Sequence, residues 1–157
     1  MKINSAEIKD LEPIRTIAIS HIGEYSGLCS PFEELGIWAV SKNLWTTTSK
    51  MMGVYHDDPS NTPVEKLRSE ACMEDLTGIE PGEGMKRYII SGGKYFVMQV
   101  EINMSECWDA WKKAYATFDE KGYGYDQRDH YDIFLSCTGD MEDPDATWIV
   151  DLRIPMI

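Results

Sequence analysis

Two hydrophobic periods alternate along the chain. From Ile14 to Ile22, Ile14, Ala18 and Ile22 share one face and Ile17 and Ile19 the other, which predicts a strand that Gly23 ends. Ser30-Pro31-Phe32-Glu33 then carries helix-start signals: a capping serine, a proline at the first helical position and a glutamate three residues on. Phe32, Leu35, Trp38 and Ala39 follow on one helical face. Met51 to His56 reads as a strand, Asp57 to Asn61 as a turn, Thr62-Pro63-Val64-Glu65 as a short helix start, and Ser69 to Asp75 as another strand. A polar break, Glu80-Pro81-Gly82-Glu83-Gly84, is the best candidate boundary. Beyond it come the apolar run Tyr88 to Ile90 and a strand from Lys94 to Ile102. Ser105 precedes a helix whose Trp108, Trp111, Tyr115 and Phe118 are spaced by 3, 4 and 3 residues. The last strands, Asp129 to Ser136 and Thr147 to Pro155, flank the acidic turn Asp140 to Asp145.

Strand, helix, strand, strand therefore occurs twice. Ala18 matches Phe96 at an offset of 78, Tyr55 matches Phe134 at 79, and Glu70 matches Asp151 at 81. The expectation is one α+β domain over residues 1–157, built from tandem duplicated βαββ units with antiparallel sheets (repeat 1 about 12–78, repeat 2 about 85–156). Pseudo-twofold symmetry and two main helices around a central groove follow, and that groove is the expected ligand site.

Charge sharpens this picture. Asp and Glu number 27 against 15 Lys and Arg, a net charge of −12. Such a chain is repelled by phosphate backbones and anionic membrane surfaces, so no direct nucleic-acid binding is expected. No basic start with a long apolar stretch opens the chain and no apolar run spans a bilayer, so neither a leader nor a membrane contact is expected. Cysteines at 29, 72, 107 and 137 form no C-x-x-C pair and read as reduced thiols, which suits a cytoplasmic protein.

Little in the chain resembles a catalytic or metal motif. His56-Asp57-Asp58 points to alternating strand faces and reads as a polar strand end rather than a ligand set. His130 and Asp132 share a strand face, an arrangement that can orient an imidazole. The 140–151 stretch lacks the glycine and the terminal glutamate of a calcium loop. No G-x-G-x-x-G, phosphate loop or G-x-S-x-G elbow is present, so no catalytic residue, metal or cofactor is assigned. The aromatic load stands out, with five Trp and eight Tyr. Trp108 and Trp111 lie on one helix, Trp38 on its counterpart, Asp132 and Phe134 on one strand face, and Tyr55 at the repeat position of Phe134. An acid among aromatics suits a delocalised organic cation, each cation–π contact being worth about 0.5–2 kcal/mol.

Several segments in order resemble the GyrI-like family, the effector-binding module also found at the C-terminus of some AraC-type regulators. They are His21-Ile22-Gly23-Glu24-Tyr25, Leu35-x-x-Trp38, Gly53-Val54-Tyr55-His56-Asp57-Asp58-Pro59, Thr62-Pro63-x-Glu65-Lys66-Leu67-Arg68, Ile90-Ser91-Gly92-Gly93-Lys94-Tyr95 and Asp151-x-x-Ile154-Pro155. The resemblance implies a tandem SHS2-like βαββ fold with a groove for lipophilic, often cationic, small molecules. Where the family carries F-E-x-Y, this chain has Tyr131-Asp132-Ile133-Phe134, an acid one methylene shorter and a ring without a hydroxyl.

Three functions follow as expectations. The first is a stand-alone drug or toxin sink or sensor, with Asp132 supplying charge and Trp38, Tyr55, Trp108, Trp111 and Phe134 walling the groove. The second, implied by the family name, is an acidic protein modulator that inhibits DNA gyrase. The third is a hydrolase of strained, cyclopropane-bearing natural products with Asp132 or Glu70 as the acid; Phe134 argues against it.

Overall fold

The structure is a computed structural model that describes residues 1–44 and 49–157. It divides into two compact units, one formed by Pro13–Ser91 and the other by Met1–Glu12 with Gly92–Ile157.

In the first unit, β2 (Ile14–Ile22), α1 (Cys29–Ser41), β3 (Met51–Tyr55), β4 (Arg68–Glu74) and β5 (Lys86–Ile90) follow in order, after β1 (Lys2–Leu11) of the other unit. The antiparallel strands lie side by side as β5-β2-β4-β3, with Thr16 opposite Tyr88, Ser20 opposite Glu70, and Val54 opposite Glu70 on its other side. Because side chains alternate, Ile17, Ala71 and Met73 share one face, and there α1 packs with Leu35 and Ala39, which are fully buried. Truncating Leu35 to Ala there would cost about 2–5 kcal/mol.

Expectation and structure differ at the helix start. Ser30 is not the cap. A short 3-10 turn, Tyr25–Leu28, runs straight into α1, which begins at Cys29, so its first N–H groups continue a turn already formed. Pro31 then occupies the first turn, where a missing N–H costs nothing.

The second unit contains β1, β6 (Gly93–Ile102), α2 (Cys107–Glu120), β7 (His130–Thr138) and β8 (Thr147–Pro155), in the antiparallel order β1-β6-β8-β7. Before α2 a short 3-10 turn, Met104–Glu106, is capped by Asn103: the Asn103 N–H donates to the Glu106 carboxylate at 3.0 Å and the Ser105 hydroxyl donates to the Asn103 side chain. Ala110, Trp111, Ala114 and Phe118 form the buried stripe of α2, with the Phe118 ring 5.9 Å from Phe96.

Two differences concern the repeat. The division falls at Ser91/Gly92 and not in the polar 80–84 stretch, because β5 pairs with β2. β1, unpredicted, belongs with the α2 sheet through its pairing with β6. Its residues are largely exposed, so backbone pairing rather than a buried face defines it. With Glu70 set against Asp151, the strand registers set Ser20 against Gln99 and Tyr55 against Phe134. Ala18 then falls on Val97; the expected match, Phe96, points to the opposite face, since a one-residue slip inverts every side chain.

Among the described residues no helix is long and apolar enough to cross a membrane.

Candidate functional site

The second unit places Asp132 and Trp111 together. Asp132 on β7 is fully buried on the face that α2 covers, and the Trp111 indole N–H donates to its carboxylate at 3.2 Å. Trp111 stacks on Tyr115, with centroids 5.5 Å apart. His130, two residues before Asp132, meets the Tyr115 hydroxyl at its Nδ1 (2.9 Å) and stacks on Tyr125. It therefore orients a tyrosine of α2, and burial holds its pKa below the ordinary imidazole value. Phe134, next along this face, meets the Trp148 ring edge-on at 5.7 Å. Trp108 is 51% exposed, with Lys112 over its ring at 6.0 Å. It lies on the solvent side of α2 because the buried stripe runs 110, 111, 114, 118 rather than through every aromatic.

In the first unit Tyr55 and Trp38 both border the cluster beneath α1. Tyr55 meets Tyr25 edge-on at 4.9 Å. Trp38 lies against the loop preceding β5: a Cβ on Gly82 would stand 2.7 Å from its Nε1, so only glycine lets the chain pass so close to the indole.

A second buried carboxylate lies on the face of the β2-β4-β3 sheet opposite α1. Glu70 accepts from Ser20 Oγ at 2.7 Å, Lys86 Nζ at 3.0 Å and His56 Nε2 at 3.3 Å. Burial pushes its carboxyl up, but the bonds from His56, Ser20 and Lys86 together outweigh that and hold it below the usual carboxylate range. Sequence reading flagged Glu70 only as an alternative acid. Its partners come from β2, β5 and the residue just past β3, and only the register assembles them.

The sequence profile of the GyrI-like small molecule binding domain matches residues 5–157. The chain belongs to the GyrI-like family. A DNA gyrase inhibitor of Erwinia billingiae (strain Eb661) is 28% identical over 161 residues, covering 97% of each chain. Among solved structures, the EcmrR C-terminal domain aligns over 100% of this chain and 99% of its own with a TM-score of 0.78 and 14% identity. In EcmrR bound to DNA, the chain spans 57% of the longer protein. SAV2435 bound to tetraphenylphosphonium aligns over 98% of this chain and 94% of its own, with a TM-score of 0.64 and 10% identity. At these identities the structural likenesses establish the fold.

The most specific GyrI-like signature builds scaffold. Asp57 accepts from the Arg68 backbone N–H (2.8 Å), Nε (3.0 Å) and a terminal nitrogen (2.9 Å), which holds its carboxyl below the usual range. The Tyr25 hydroxyl donates to the Asp57 carbonyl at 2.6 Å and accepts from its N–H at 3.1 Å. Asp58 accepts from the Ser60 N–H and hydroxyl and from Asn61, closing the turn. The His-Asp-Asp run is thus used up in structure. Among the described residues no group of three or more His, Cys, Asp or Glu side chains is placed to hold a metal ion.

Proposed function

We propose that this GyrI-like chain is a cytoplasmic binding domain for hydrophobic or cationic small molecules, acting as a drug or toxin sink or sensor, and that its two units are tandem copies of one βαββ element. The observation that carries this reading is the fully buried Asp132 among aromatic side chains, anchored by the Trp111 indole. Asp132 supplies counter-charge, Trp111 and Phe134 the apolar wall, and Trp108 an outer aromatic contact. Trp38 and Tyr55 offer the same chemistry in the first unit. That a fold relative binds tetraphenylphosphonium supports the ligand class. The test is calorimetric titration with tetraphenylphosphonium of the wild type and Asp132→Asn. We expect saturable binding that weakens about fivefold or more in the variant, as loss of a poorly screened charge requires. Equal affinity in a folded variant would remove the electrostatic role.

A second reading is inhibition of DNA gyrase. It is favoured by relatives named DNA gyrase inhibitor that match nearly the whole chain, and by the −12 charge, which complements basic DNA-binding surfaces. Inhibition of supercoiling at micromolar protein, relieved by salt, is the expected result; its absence would rule the reading out.

A further inference from the structure

Asp132 and His130 are alternate residues of β7, so their side chains leave the same face about 7 Å apart. They are joined a second way, through α2. The Trp111 indole N–H donates to Asp132 at 3.2 Å, the Trp111 ring stacks on Tyr115, and the Tyr115 hydroxyl meets His130 Nδ1 at 2.9 Å. Carboxylate, indole, phenol and imidazole thus form one closed circuit, half of it strand and half of it helix. On its other side the imidazole stacks on Tyr125, with centroids 6.3 Å apart and planes 19° from parallel.

The charges around this circuit are one-sided. From α2, Tyr115 faces the imidazole directly, and Asp119 reaches it only through the Tyr125 hydroxyl, which donates to that carboxylate at 2.7 Å. The segment before β7 brings Tyr125 and Asp129, and β7 itself brings Asp132. On this face β8 presents Leu152 and Ile154, both apolar; its Arg153 projects from the opposite face, where it bonds to Tyr131 and Asp151. Lys112 and Lys113 lie on the exposed side of α2, Lys112 paired with Asp109. The full charges that these elements bring toward the imidazole are therefore carboxylates. Protonation of His130 then changes two things at once. A neutral imidazole accepts the Tyr115 hydroxyl hydrogen at Nδ1 and keeps its own on Nε2, whereas a protonated one must donate from Nδ1 and turn that hydroxyl hydrogen away. It also sets a positive charge about 7 Å from Asp132, where solvent screens little.

We propose that His130 is a proton-operated competitor for Asp132: neutral, it props Tyr115 and leaves the carboxylate as counter-charge for a bound cation; protonated, it takes that counter-charge itself and drives the cation out. The inference rests on the Asp132 binding reading and adds its regulation. Burial keeps the imidazole neutral until the pH falls below its ordinary value of 6.5, so the site accepts cations at neutral pH and rejects them in acid. The coupling is reciprocal, and a bound cation makes His130 harder to protonate.

The experiment is calorimetric titration with tetraphenylphosphonium, whose charge does not titrate, from about pH 7.5 to about pH 4.5. Wild type, His130→Gln and Asp132→Asn are compared, with near-UV circular dichroism as the check on folding at each pH. In the wild type we expect affinity to fall about tenfold across that range, as a competing charge at about 7 Å requires. His130→Gln, which keeps a neutral partner for Tyr115, should show no such fall. In the wild type alone, the His130 imidazole signals followed by NMR should titrate at lower pH when tetraphenylphosphonium is bound. Affinity that stays flat with pH in the wild type, or falls equally in His130→Gln, overturns the proposal, while weaker binding by Asp132→Asn at neutral pH still upholds the Asp132 reading. A His130 titration that the cation does not move overturns it as well. No binding of tetraphenylphosphonium at neutral pH overturns both.

Discussion

Glu70 and Asp132 are both buried carboxylates on strands, yet their surroundings differ in kind. Glu70 lies on the sheet face opposite its helix and is held by a hydroxyl, an imidazole and an ammonium. Asp132 lies beneath its helix, where an indole N–H meets it and the surroundings are aromatic. A carboxylate held by three donors, one of them an ammonium, is fixed in place. One set among rings is suited to exchange a partner. Burial alone does not distinguish the two carboxylates; the chemistry of their donors does.

The widest gap should open in stability. Glu70→Ala leaves Ser20, His56 and Lys86 without their shared acceptor and should cost about 2–4 kcal/mol, read from urea unfolding. Asp132→Asn keeps an acceptor for Trp111 and should cost less than half as much; a larger loss than at Glu70 would reverse the contrast. The two regions also separate in pH. His130 has its folded pKa depressed by burial, so its contribution is complete above the unfolded value of about 6.5 and falls away as pH drops below it. Glu70 is likewise depressed, so its contribution is complete above about pH 4.3 and lost as pH falls through its lower folded value. Midpoints measured from pH 7 to 3 should fall in two stages, the first absent in His130→Gln and the second in Glu70→Gln. A smaller effect is expected at the signature turn: Tyr25→Phe removes two hydrogen bonds to Asp57 and should cost about 1 kcal/mol. Trp108→Ala should change stability by no more than about 0.5 kcal/mol, because the ring is exposed.

Periodicity located both helices and the strands with a buried face, because burial on one side leaves a pattern. β1 left none: only Leu11 and Ser5 of its residues are even half-buried, and its definition is the ladder to β6. Trp108 lies outside the buried stripe of its helix for a related reason, since helical spacing shows that aromatics lie near one another but not that each faces inward. Asp132 was legible through the family motif. The Trp111 bond to it, and the Tyr115–His130 pair, join a helix to a strand, and no spacing along the chain encodes that meeting. Conversely, the motif that best marks the family, from Gly53 through Arg68, contains a turn held by Asp57 and Arg68, so much of what identifies the family is scaffold.

The placement of β1 sets a timetable for synthesis. Lys2 pairs with Glu101 and Leu11 with Gly93, so during synthesis β1 meets its partner about 90 residues after it emerges. By then β2, β3, β4 and β5 of Pro13–Ser91 have all been made. The nascent chain thus carries an unpaired leading strand beside a completed unit. Its Lys2, Glu7, Lys9 and Asp10 are the charged side chains that disfavour edge-to-edge pairing with another chain while the strand waits.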